Sequence, residues 1–351
     1  MSRPPGSWVK VKSMVRSVLA AVLLAAFASG AVAKDEPATL VPTWTTLGTA
    51  GGPVTFAERS QPANLLSVGN GRIVVDCGDG CTERLAGAGV SPVAVGAVVV
   101  SHLHQDHVAG LYGLISLRWM MGAPSAITIY GPPGIEELVD GIKRSLAPSE
   151  KIGLPSGAPS PLALSDMVRV VVVNDGADFT VGAVRVRAAR NSHFDEKGQP
   201  AANGSVSLSY RFDAGGRAIG YTGDTGPSDA VTRLFTGVGL IVSEAADLRG
   251  AEAAINAPNS PVPLAARAGL IRHIAEHHLT PAQAGAVAAA AGARCLVLTH
   301  LSISVPTAVG APALEAGARS KFAGSVSVAR DLDRFVAPLP EAPSPSDCAA
   351  R

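Results

Sequence analysis

The chain has no basic run beyond position 16, no second cysteine pair at zinc-ribbon or finger spacing, and no adjacent arginines near its start. Its N-terminal apolar run, 17–33, falls short of the roughly 20 residues a membrane-spanning helix needs. Without a basic run, the electrostatic footprint that polynucleotide binders carry is missing. Lone Cys77 and Cys81 do not make a structural zinc site, and Cys295 sits in an apolar strand pattern, so the four cysteines read as structural, with a disulfide allowed and the pairing open. The missing arginine pair and the absence of a cysteine at the end of the apolar run exclude a twin-arginine signal and lipid attachment.

What is present begins with Arg3, Lys10, Lys12 and Arg16, free of acids, ahead of the apolar run that ends in Ala31-Val32-Ala33. This pattern predicts a signal peptide over 1–33, cleaved before Lys34, and so a periplasmic or secreted protein with no stable membrane anchor. Losing those four positive charges takes the formal net charge from +1 to −3. The 47% hydrophobic content supports a sizeable core, and the length suits one large α/β domain over 34–337. A Pro- and Ser-rich tail, 338–351, reads as flexible.

The densest chemistry is Ser101-His102-Leu103-His104-Gln105-Asp106-His107, which directly follows the apolar run Val95-Gly96-Ala97-Val98-Val99-Val100. Imidazole and carboxylate are the usual ligands of catalytic zinc. His102 and His104 are two apart on an extended segment and point the same way. Asp106 and His107 come where a helical pattern, 106–121, begins, so their side chains diverge from the first pair. Two clusters of ligands imply two metals.

Strands and helices alternate along the rest of the chain, which indicates layered α/β architecture. Strands 63–67 and 72–75 flank the hairpin dipeptide Asn70-Gly71, and a helix, 135–146, follows the turn Gly131-Pro132-Pro133-Gly134. Segment 147–166 reads as a surface loop over a site, and 247–276, with several prolines, as an irregular insertion. Thr280 and Pro281 form the start of a strong helix. Trp119, Met120 and Met121 read as helix-core packing. At three further strand ends stand His193, Asp224 and His300, so five of the eight histidines lie in the metal loop or at such points.

In this order, Asp76, His102-Leu103-His104-Gln105-Asp106-His107, His193, Asp224 and His300 resemble the motifs of the metallo-β-lactamase fold superfamily, over roughly 40–332. The resemblance implies an αββα sandwich with metals at one edge. It implies one zinc on His102, His104 and His193, a second on Asp106, His107 and His300, Asp224 as the bridge, and Asp76 fixing the loop through hydrogen bonds. Manganese or iron could take the place of zinc. Tyr221-Thr222-Gly223-Asp224-Thr225, Glu244, His278-Leu279-Thr280 and Leu298-Thr299-His300 look most like the branch of ribonuclease Z, its related arylsulfatases and class II cyclic-nucleotide phosphodiesterases. There His278 would protonate the leaving group or hold the oxyanion, with His277 or His273 as the alternative. His273 and His277 otherwise read as solvent-exposed.

One departure stands out. Ribonuclease Z carries a long Gly-Pro-rich arm between the third ligand motif and the bridging aspartate, yet thirty residues separate His193 from Asp224 here. With the acidic mature charge, this gap argues for a small-molecule ester and against a nucleic-acid polymer as partner. The expectation is an exported dizinc hydrolase of small phosphodiesters or aryl sulfates, using a metal-bridging hydroxide that Asp106 orients. A lactonase of the same fold and a non-catalytic zinc-binding module are the rival readings, and the sequence is compatible with a homodimer.

Overall fold

The computed structural model describes residues 40–52, 55–154, 157, 159–301, 310–339 and 348. The expected signal peptide and most of the tail lie outside them. In chain order the first sheet takes β1 (Thr43–Gly48), β2 (Ala63–Val68), β3 (Gly71–Cys77), β4 (Ala97–Val99), β5 (Ile127–Gly131) and β6 (Val168–Val172). The second takes β7 (Asp178–Val181), β8 (Val184–Arg190), β9 (Leu208–Ala214), β10 (Arg217–Tyr221), β11 (Leu240–Ala245), β12 (Cys295–Leu301) and β13 (Ser325–Val328), after which β14 (Arg334–Val336) returns to pair with β1. From β3 to β6 and from β10 to β13 the pairings are parallel, so these strands deliver their C-terminal ends to one edge, where open α/β sheets bind ligands.

Between the sheets lies an apolar layer with Trp44, Leu66, Val75 and Val99 from one side and Val186, Tyr210, Phe212, Tyr221 and Val242 from the other. Trp44 crosses the layer, its ring 5.7 Å from Phe212 and 5.6 Å from Tyr221. The outer face of the first sheet is covered by α1 (Cys81–Gly87), α3 (Leu111–Met120) and α4 (Ile135–Ile152), through Leu85, Leu114, Ile115 and Val139; the four-residue α2 (Gln105–Val108) precedes α3. The outer face of the second sheet is covered by α5 (Asp229–Leu234), α8 (Pro281–Ala290) and α9 (Ala311–Arg319), through Val231, Ala288 and Leu314. This is the expected αββα sandwich. Among the described residues no helix is long and apolar enough to cross a membrane.

Several boundaries differ from the sequence expectation. The hairpin turns at Gly69 and Asn70, with Val68 opposite Gly71 and Gly69 at φ +54°. The helix expected over 106–121 is broken between α2 and α3, because Gly110 donates to the Cys77 carbonyl and a Cβ there would lie 2.3 Å from the Gly78 carbonyl oxygen. Pro148 sits inside α4, which runs on to Ile152, and the segment after it packs Leu154 and Leu162 against the first outer core. The stretch expected to be an irregular insertion holds α6 (Leu248–Asn256) and α7 (Leu264–His277), with a small core of Ala246, Ala251, Ile255 and Ile274. Its prolines occupy the connection between those helices, and Asp247 caps the first by accepting from the Gly250 amide at 3.1 Å. Trp119 is buried as expected, whereas Met120 and Met121 face solvent at 49% and 55% exposure and line neither core nor site.

Cys295, at the start of β12, is disulfide-bonded to Cys348, and both are buried in the layer between the sheets. Cys77 and Cys81 are buried as free thiols, their sulfurs 2.8 Å apart.

Candidate metal centre

The site forms where strand ends from both sheets meet. The loop after β4 brings His102 and His104, α2 brings Asp106 and His107, the ends of β8 and β10 bring His193 and Asp224, and β12 brings His300. Asp76, the penultimate residue of β3, holds the loop in place. It takes positive φ (+54°) and accepts hydrogen bonds from the Ser101 amide (2.7 Å), the Ser101 hydroxyl (2.7 Å) and the Tyr221 hydroxyl (2.6 Å). His107 Nδ1 lies 2.8 Å from the same carboxylate, which turns its Nε2 toward the site. His193 is oriented the same way, with Nδ1 2.9 Å from the His277 carbonyl oxygen. His300 projects from a bulge where the β11–β12 register shifts, with φ at +45°, a conformation costly for a non-glycine residue and concentrated at functional sites.

Two clusters result. In the first, His104 Nδ1 lies 3.0 Å from His102 Nε2 and 3.2 Å from His193 Nε2, with Asp224 Oδ2 3.8 Å from His102 Nε2. In the second, His300 Nε2 lies 3.4 Å from Asp106 Oδ2, and His107 Nε2 lies 3.6 Å from that same oxygen. Asp224 stands between them, Oδ1 3.4 Å from His107 Nε2 and Oδ2 3.2 Å from His300 Nε2. The structure thus brings together all seven groups expected as metal ligands.

These groups fit metal ions. Nitrogens bound to one tetrahedral zinc at ~2.1 Å would sit about 3.4 Å apart, close to the spacing of the first cluster. His107 Nε2, Asp224 Oδ1 and both ring nitrogens of His300 are buried without a hydrogen bond, a costly arrangement that cations resolve. The charges agree. Burial pushes His102 and His193 well below the ordinary imidazole range, leaving them neutral as ligands must be. Burial would also lower His300, yet Asp224 and Asp106 push it up to about 10, so the carboxylates favour positive charge at the second cluster.

His278, fixed by the end of α7, is 8% exposed, which settles it as an interior group and not a surface helix-entry residue. Its Nδ1 lies 2.6 Å from Glu244 Oε2 and 4.0 Å from Asp224 Oδ2. Burial would lower its pKa, but Glu244, then Asp224, hold it above the ordinary value. Glu244 Oε1 in turn accepts from the Thr225 amide at 2.5 Å. Of the three candidate histidines, His278 is the one placed against Glu244 and Asp224. His277 caps the first cluster only through its carbonyl, and its ring and that of His273 are half-buried beside His193, at 6.5 Å and 5.7 Å, not solvent-exposed as expected.

Two residues of the centre, Glu244 and Gly52, carry no role in the sequence pattern. The Gly52 amide donates to Asp106 Oδ2 at 2.9 Å, and a Cβ at that position would lie 2.4 Å from the same oxygen. The signal for Glu244 was a carboxylate at the C-terminal end of the strand beside that of Asp224; for Gly52 there was only a glycine pair. A separate cavity of about 600 Å³ lies among the turns at the other edge of the second sheet, lined by Gly182, Gly215 and Gly216, and takes no part in this centre.

Residues 71–301 match the beta-lactamase superfamily domain. The ribonuclease Z of Mycolicibacterium gilvum is 30% identical over 297 residues, covering 83% of this chain and 94% of the relative. Among solved structures, the metallo-beta-lactamase fold protein YhfI from Bacillus subtilis superposes with a TM-score of 0.61 at 19% identity, covering 85% of this chain and 99% of its own. The short form of human tRNase Z gives 0.56 at 20% identity, covering 84% and 99%. The relatives correct one expectation. The argument against a nucleic-acid polymer as partner does not stand, because the curated relatives that match most of this chain are ribonucleases. Net charge is a sum over the whole surface, whereas RNA is held by local groups, and a missing arm removes only one docking element.

Proposed function

This chain belongs to the β-lactamase superfamily, and on that premise we propose that it is a two-metal hydrolase of phosphodiester bonds. The observation that carries the reading is the placement of the His278–Glu244 pair against Asp224, the carboxylate that both metal clusters share. Bound at the two clusters, a pair of divalent ions such as zinc would acidify a water molecule and offset charge on the ester oxygens. His102, His104 and His193 would hold one ion, Asp106, His107 and His300 the other, and Asp224 both.

The protein's own groups then do the following. Asp106, steered by the Gly52 amide, orients the attacking oxygen. His278, its Nδ1 tied to Glu244, keeps Nε2 free to carry a proton to the departing oxygen. An alkoxide leaving group, as in a phosphodiester between sugars, needs that proton, whereas an aryl sulfate releases a stable phenolate without it. The pair therefore favours phosphodiesters over sulfates.

Export is part of the proposal. The cationic, then apolar, pattern of residues 1–33 supports it, as does the Cys295–Cys348 disulfide, a bond that persists in oxidising compartments.

The test is turnover by the zinc-loaded protein on four substrates side by side: a phosphodiester with an alkoxide leaving group, an aryl sulfate, a lactone and an RNA with a 3′ extension. The reading predicts phosphodiester cleavage, small or polymeric, well above the other two. Preference for the sulfate or the lactone would replace it.

A further inference from the structure

A cavity of about 180 Å³ opens beside His104, lined also by Leu103, Pro133, Phe194, Ser205 and Val206. Its position ties it to the metal centre. The Phe194 ring lies 5.0 Å from that of His104, 4.7 Å from His193 and 5.6 Å from His102, so the cavity meets the first cluster through His104 and Phe194. Leu103 packs against the outer core of the first sheet and Val206 against the layer between the sheets, so the cavity sits in the seam between them. Gly134, at φ +98°, allows the turn after β5 to close on this seam, since a Cβ there would lie 2.9 Å from a Leu103 methyl.

The chemistry of the walls restricts the occupant. Aliphatic and aromatic groups surround it, with one hydroxyl and no charged side chain except the metal-facing imidazole. A volume of this order accepts a single aromatic ring system and is too small for a whole drug-sized ligand. A phosphoryl group held at the metals would direct one of its two substituents here.

We propose that this cavity is a subsite for a planar aromatic group of the substrate, an aryl ring or a nucleobase, which stacks against Phe194. The proposal rests on the phosphodiesterase reading for what the group is attached to, but its test needs no turnover. Stacking of a ring on an aromatic side chain is worth on the order of tenfold or more in affinity.

The experiment is calorimetric binding of phenyl phosphate and methyl phosphate to the metal-loaded protein, in wild type and in Phe194→Ala and Val206→Trp. The second variant fills the cavity and leaves Phe194 in place, so the pair of variants separates a lost wall from a misfolded one. Wild type is expected to favour phenyl phosphate by about tenfold, and both variants to bring that ratio toward one. A wild-type ratio near one, or a ratio unmoved in both variants, overturns the subsite. Adenosine monophosphate against ribose 5-phosphate gives the second arm: a similar ratio assigns the cavity to nucleobases, and its absence alongside a phenyl preference assigns it to aryl groups. A protein that keeps the ratio but cleaves no diester loses the functional reading alone; one that cleaves diesters without the ratio loses the subsite alone.

Discussion

Nδ1 of His278 and Oε2 of Glu244 are 2.6 Å apart, although they stand 34 positions apart along the chain, on either side of the α6–α7 hairpin. Glu244 is held by the Thr225 amide, next to Asp224, and His278 by the end of α7, so the pair ties the hairpin to the centre. Both residues are buried, and a carboxylate beside an imidazole favours the protonated ring.

If the pair delivers a proton to the departing oxygen, its importance scales with the basicity of that oxygen. We expect His278→Ala to lower kcat by about 10²–10⁴-fold for diesters with alkoxide leaving groups and by under about tenfold for 4-nitrophenolate. A leaving-group series measured for both proteins checks this. Equal losses across the series would assign His278 to another role.

Gly52→Ala addresses Asp106. The added methyl meets the Asp106 side chain at 2.4–2.6 Å, so either the 51–52 turn or the ligand must move. Metal affinity or activity should fall about 10–100-fold, the usual cost of disturbing a group that orients a ligand, with the fold intact by circular dichroism. Metal analysis after dialysis, showing loss of one of two equivalents, is the expected result.

Arg118 makes a stability prediction away from the site. It is buried and donates to the carbonyls of Pro92, Val93 and Val95 through Nη1 and to that of Ser125 through Nη2, clipping the lead-in to β4 onto α3. Arg118→Met should cost about 3 kcal/mol, because it strands buried carbonyls that lose a charged donor. Urea denaturation of both proteins in the same buffer measures it.

The ligands were legible because they cluster in sequence or stand at strand tips: His102 to His107 form a short motif after an apolar strand, and His193, Asp224 and His300 each end an alternating or apolar run. The layered fold was legible for the same reason, through strand and helix periods. What could not be read depended on contacts between distant segments. Gly110 breaks the helix after the metal loop only because Gly78 approaches it, and Glu244 gains a role only when His278 is folded back onto it. The prolines around position 260 hid two helices because they punctuate the connection and not the helices themselves. The reading of RNA as an excluded partner failed because charge was summed over the surface when only its local arrangement matters.

The central claim is that Asp224 joins two metal ions into one hydrolytic centre, and Asp224→Asn tests it most directly. Zinc content and turnover of an alkyl aryl phosphodiester would be measured on wild type and variant after the same loading and dialysis. The account predicts two equivalents and turnover in wild type, and a folded variant whose rate falls by about 10²-fold or more. Wild-type turnover by Asp224→Asn at normal metal content would contradict it.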